Sequence, residues 1–82
     1  MFYVYVLRSE RSEFYIGYTS DLQVRLKAHN DGLNRSTSGR VWHVVYYEAY
    51  QSDAAARDRE RILKKDGRSR YALMERLKRH LE

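Results

Sequence analysis

Two short runs near the N-terminus constrain this chain most. Residues 2 to 7, Phe-Tyr-Val-Tyr-Val-Leu, and residues 14 to 18, Phe-Tyr-Ile-Gly-Tyr, are built largely from aromatic and β-branched side chains, which suit a pleated, half-buried backbone. A short polar stretch separates them, so they predict a β-hairpin. A hairpin alone cannot bury its apolar face, and the remaining residues must cover it. The chain has 82 residues and no cysteine, which leaves room for one core and excludes both a disulfide framework and a thiolate zinc site. One domain spanning residues 1–82 is expected.

The segments that follow alternate in period. Ser20-Asp-Leu-Gln23 fits a capping box and opens a helix predicted over residues 21–30. Residues 30–40 are small and polar with two glycines, so they read as a loop able to order around phosphate. Strand character returns over 42–49. Ser52-Asp53 is an N-cap start for a second helix that ends at Lys64, Lys65 and a Gly67 stop, and Ser69 caps a last helix running to the C-terminus. On that last helix Tyr71, Met74, Leu77 and Leu81 form an apolar stripe. The expected fold is α+β: a three-stranded, mostly antiparallel sheet flanked by three helices in the order β-β-α-β-α-α.

Charge is unevenly placed. Sixteen Lys and Arg against eleven Asp and Glu leave a net charge of +5. Residues 1–56 carry six basic and six acidic side chains, whereas residues 57–82 carry ten basic and five acidic. The whole excess therefore lies in the last two helices, as a solvated basic face or as a contact for a polyanion. The longest apolar run, Val4 to Leu7 with its aromatic neighbours, is far short of the roughly 20 residues that span a bilayer. No basic leader precedes it, so a cytoplasmic protein without membrane association is expected.

Three polar features break the apolar patterning. In the first helix Leu22 and Leu26 set the stripe, and at ~100° per residue Arg25 and His29 project within about 60° of it, towards the sheet. In the hairpin Tyr3 and Tyr5 share a face of the first strand and Tyr15 and Gly17 a face of the second, so that phenols line one surface, and Gly17 is positioned to admit a ligand or a second backbone at close range. In the second helix, with Ala55, Arg59, Ile62 and Leu63 as the inner arc, Glu60 lies about 100° from the arc's centre, at the margin of core and solvent. Each feature also has a structural reading. Arg25 can snorkel, His29 can be a hydrogen-bonded core residue, strand tyrosines pack against their cross-strand neighbours, and Glu60 can pair with Lys64 at i,i+4.

Taken together, Tyr3-Val4-Tyr5, then Tyr15-Ile16-Gly17, then Arg25, His29 and an Ala-x-x-x-Glu stretch ending at Glu60 resemble the GIY-YIG nuclease domain. The likeness covers about residues 2–65 and is closest to the small bacterial single-domain members. It implies Mg²⁺-dependent (or Mn²⁺-dependent) hydrolysis of a nucleic-acid phosphodiester, DNA in preference to RNA. Glu60 would hold a single ion, Arg25 would contact the scissile phosphate, and Tyr5 and Tyr15 would orient and deprotonate water, with His29 relaying the proton. Tyr5 is the expected base, its phenol lowered by Arg25, the metal or an imidazole. Arg35, Arg40, Lys64, Lys65, Arg68 and Arg70 are the expected backbone contacts. The chain departs from the family pattern at Tyr3, where the motif has glycine, and near Ala72, where many members carry an asparagine. Two other functions fit the composition: a nucleic-acid-binding module without turnover, and a domain that binds an acidic protein or an anionic lipid.

Overall fold

The computed structural model describes residues 1–80. It contains strands β1 (Phe2–Ser9), β2 (Phe14–Thr19) and β3 (Trp42–Tyr50) and helices α1 (Leu22–Asn30), α2 (Asp53–Lys65) and α3 (Gly67–Lys78), with a 3-10 turn at Arg35–Thr37. The α+β architecture and the β-β-α-β-α-α order are those expected from sequence. All pairing is antiparallel and the strand order is β2-β1-β3, so the first strand is central and the other two are edges.

Strand alternation sorts the residues between two faces. Val4, Val6 and Ile16 face α2 and α3 and form the larger core with Ala56, Leu63, Leu73 and Leu77. Tyr5 and Leu7 face the opposite way and pack with Trp42, Tyr15, Leu22 and Leu26 beneath α1. A register shift in the β1–β3 pairing between Val6 and Leu7 lets Val45 join Tyr46 against the α2–α3 core. No helix among the described residues is long and apolar enough to cross a membrane.

Several local expectations are corrected. The N-cap of α1 is Asp21, whose side chain accepts from the Val24 amide, so the Ser20 capping box does not form. Asp66 both closes α2 and caps α3 through the Arg68 amide. Gly67 therefore begins a helix instead of stopping one, and Ser69 sits inside the first turn, donating its hydroxyl to Asp66. In α3 the buried positions are Leu73 and Leu77, with Met74 packed against them, while Tyr71 is 67% exposed. Leu81 lies outside the described residues. In α2 the inner arc runs through Ala56 and Leu63, with Ala55 exposed. This rotation of the helix brings Glu60 to within about 50° of the arc's centre, closer to the sheet than the sequence reading placed it.

Candidate active site

Of the side chains singled out from sequence, Arg25 and His29 meet Tyr5 at its hydroxyl, beside Gly17 of β2. Tyr5 projects from the central strand towards α1 and is 1% exposed. Its cross-strand partner is Gly17. A Cβ built on Gly17 would come within 2.3 Å of the Tyr5 hydroxyl, less than any tolerable contact. The glycine is thus required so that the phenol can lie across β2. The space beside Gly17 is filled by the Tyr5 side chain, in place of the ligand or second backbone expected from sequence.

At the phenol two groups converge. Arg25 Nε donates to the Tyr5 hydroxyl at 3.3 Å, and His29 Nε2 lies 2.9 Å from the same oxygen. Tyr15, one strand over, stacks edge-on against His29 at a centroid distance of 4.8 Å. The inward projection of Arg25 and His29 follows from the helical period of α1. His29 is fully buried, and its other nitrogen, Nδ1, lies 2.7 Å from the Thr37 hydroxyl. Thr37 Oγ1 donates in turn to the Asn34 carbonyl at 3.3 Å, and Trp42 Nε1 donates to the Thr37 carbonyl at 2.8 Å. Asn34 Nδ2 also donates to the Tyr15 hydroxyl at 3.4 Å.

Burial pushes the Tyr5 phenol above its ordinary value; the Arg25 guanidinium opposes this, and Tyr15 and Glu60 add smaller upward contributions. The lowered Tyr5 expected from sequence is therefore not found: a buried phenolate lacks the hydration that would offset its charge. Burial, then the Arg25 charge, holds the His29 imidazole below its ordinary value. At neutral pH the resting pair is a phenol and a neutral imidazole.

Glu60 reaches the same edge from α2. Its side chain is 25% exposed, and Oε2 lies 3.3 Å from Lys64 Nζ. Lys64 in turn sits over the Tyr15 ring at 5.5 Å. The i,i+4 pair with Lys64 expected from sequence forms, and the carboxylate is half-buried. Among the described residues no three His, Cys, Asp or Glu side chains gather as a metal cluster. A single half-buried carboxylate suits a hard cation that keeps most of its waters. Both nitrogens of His29 already face protein partners, so the imidazole is not a ligand.

The six basic residues expected at a backbone fall into different situations. Arg35 is exposed on the 3-10 turn, and Lys65 and Arg68 are exposed at the α2–α3 junction. Arg40 is ion-paired with Glu13. Arg70 donates to the Leu63 and Lys64 carbonyls, closing the end of α2. Lys64 and Arg70 also line a cleft of about 310 Å³ with Phe14, Tyr15 and Met74, immediately beside the tyrosine pair. Sequence reasoning missed Asn34, Thr37 and Trp42. The first two stand in a run of small polar residues where no periodicity separates Thr37 from Ser36 or Ser38, and only the turn decides which hydroxyl faces inward.

A small antiparallel sheet carries the tyrosines, while α1 brings Arg25 and His29 to them and α2 brings Glu60 and Lys64 to the β2 side. The GIY-YIG catalytic domain model matches residues 1–73, and the chain belongs to that family. A UPF0213 protein of Clostridium perfringens is 39% identical over 67 residues, covering 79% of this chain and 72% of the relative. A UPF0213 protein of Streptococcus pyogenes is 40% identical over 65 residues, covering 77% and 71%. The solution NMR structure of a UPF0213 protein from Bacillus halodurans superposes with a TM-score of 0.54 at 30% identity, covering 92% of this chain and 84% of that one.

Proposed function

We propose that the protein is a metal-dependent endonuclease that hydrolyses phosphodiester bonds of nucleic acid, DNA in preference to RNA. The observation that carries this reading is the convergence of Arg25 and His29 on the buried Tyr5 hydroxyl, with the half-buried Glu60 carboxylate at the same strand edge.

Hydrolysis requires a deprotonated water and compensation of the charge that develops on the phosphorane. Tyr5 is protonated at rest, so it acts as a relay: a water proton passes to the Tyr5 oxygen as the Tyr5 proton passes to His29 Nε2. The hydroxide so formed attacks phosphorus, and the leaving oxygen departs on the opposite side. The depressed basicity of His29 keeps that nitrogen unprotonated, and able to accept, at neutral pH. Arg25 stays charged; its contact with Tyr5 is the first cause of its raised value. Its remaining guanidinium N–H groups suit the fork geometry of a phosphate. A single Mg²⁺ or Mn²⁺ at Glu60 would supply electrophilic charge to the phosphate oxygens when bound. Lys64 and Arg70, in the adjoining cleft, would meet phosphates along the strand, with Arg35, Lys65 and Arg68 on the exposed surface; Arg40 would contribute least because Glu13 holds it.

The test uses purified protein with Mg²⁺ or Mn²⁺ on branched, single-stranded and duplex oligonucleotides, beside Glu60→Gln. Cleavage by the wild type and not by the variant supports the reading. Binding without cleavage on every substrate supports a second one, a nucleic-acid-binding module, which is favoured by Ala72 standing exposed on α3 near where many members carry asparagine.

A further inference from the structure

The hydrogen bonds around His29 account for every proton if followed from the loop inward. Thr37 Oγ1 has one hydrogen, which it donates to the Asn34 carbonyl. Towards His29 Nδ1, 2.7 Å away, the hydroxyl is then an acceptor, and Nδ1 must carry the ring proton. The imidazole is neutral, so Nε2 is bare and accepts from the Tyr5 hydroxyl at 2.9 Å. Tyr5, having donated its hydrogen, accepts from Arg25 Nε. The opposite tautomer would place two donors, Arg25 and His29, on the Tyr5 oxygen and leave that nitrogen no capacity to take a proton.

We propose that Thr37 is a positioning residue: its hydroxyl, oriented by the Asn34 carbonyl, holds His29 in the Nδ1–H tautomer and so keeps Nε2 open to the Tyr5 proton. The two side chains that meet are buried. Thr37 and His29 are 0% exposed, and the Trp42 indole fixes the Thr37 carbonyl at 2.8 Å. The same turn reaches the second tyrosine, since Asn34 Nδ2 meets the Tyr15 hydroxyl. The loop between α1 and β3 is thereby part of the site and sets both phenols. The role assigned to Thr37 in turnover rests on the nuclease reading above; the tautomer itself does not.

The experiment is ¹⁵N NMR of the labelled full chain, reading which ring nitrogen of His29 is protonated, on wild type, Thr37→Val and Thr37→Ser, with steady-state cleavage run in parallel. Wild type and Thr37→Ser should show protonated Nδ1 and bare Nε2. Thr37→Val, of nearly the same volume, should shift the proton towards Nε2 and lower kcat by about 10- to 100-fold with KM little changed, the scale typical of partners that orient an active-site imidazole. Protonated Nε2 in the wild type overturns the proposal. So does a Thr37→Val protein that keeps both tautomer and kcat. If Thr37→Val does not fold, the wild-type spectrum together with retention of tautomer and kcat in Thr37→Ser carries the same decision. Absence of cleavage by the wild type with protonated Nδ1 overturns the nuclease reading while the tautomer assignment stands.

Discussion

Two clusters in this protein contain the same four side chains by type, two tyrosines, one arginine and one glutamate, and they use them in opposite ways. On the α2–α3 face, Arg59 closes on Glu48 with two hydrogen bonds of 2.9 and 3.1 Å, and the Tyr46 and Tyr50 hydroxyls donate to the same carboxylate at 2.6 and 2.5 Å. At the β2 edge, Arg25 turns to a phenol, the phenol turns to an imidazole, and Glu60 meets only a flexible lysine through Oε2. The two clusters diverge from adjacent positions: Arg59 and Glu60 are consecutive on α2 and point to different sides of its footprint on the sheet. A carboxylate whose lone pairs are filled by protein donors is a structural joint. One left half-buried with a displaceable partner retains capacity for a ligand.

Electrostatics follow the same division. Burial works against the Glu48 charge, but the Arg59 pair and the two phenols outweigh it and hold the carboxyl at about 2. Tyr50 is correspondingly pushed up to about 12 by burial and by its bond to Glu48. In the other cluster the raised phenol and the lowered imidazole both mark neutral forms kept out of water.

The comparison can be broken most forcefully at the open cluster. Glu60→Gln and Arg25→Lys should each lower cleavage by about 10²–10³-fold, the usual cost of removing one transition-state charge partner, with melting temperatures near wild type. Equal loss of stability and activity would make the open cluster as structural as the closed one.

Glu48→Gln should do the reverse. It should cost about 3 kcal/mol of stability, because the fold holds the carboxyl from 4.5 down to about 2, at ~1.36 kcal/mol for each tenfold change, while cleavage measured well below the melting temperature persists. The same group predicts an acid limb. The folded value lies below the ordinary one, so the stabilisation is complete above pH 4.5 and is lost as the pH falls towards 2. Denaturant titrations across that range, wild type against Glu48→Gln, should converge at low pH.

Gly17→Ala sits between the clusters in effect. Its Cβ collides with Tyr5, so overpacking of about 1–3 kcal/mol should accompany a drop in cleavage as the phenol leaves His29. Lys64→Met should give the smallest change. Removing the ammonium from Glu60 should tighten Mn²⁺ binding by about two- to fivefold, the worth of a partly exposed ion pair, whereas Lys65→Met on the same helix should change it less. Titration calorimetry with Mn²⁺ separates the two.

The strands and helices, and their order, are legible in the chain because they depend on local periodicity and turn chemistry. So is the inward projection of Arg25 and His29, since 3.6 residues per turn places them beside Leu22 and Leu26 whatever the rest of the molecule does. The family motif added Tyr5, Tyr15 and Glu60 by spacing alone. Tertiary structure decided the remainder. Which of three neighbouring hydroxyls reaches His29 depends on a 3-10 turn anchored by Trp42, from the next strand. That Gly17 yields to Tyr5 depends on strand register, and the inner arc of α2, hence the placement of Glu60, depends on how Ala56 and Leu63 seat on the sheet. The raised phenol depends on burial beneath α1. These are long-range effects of packing, and no window of local sequence contains the partners that produce them.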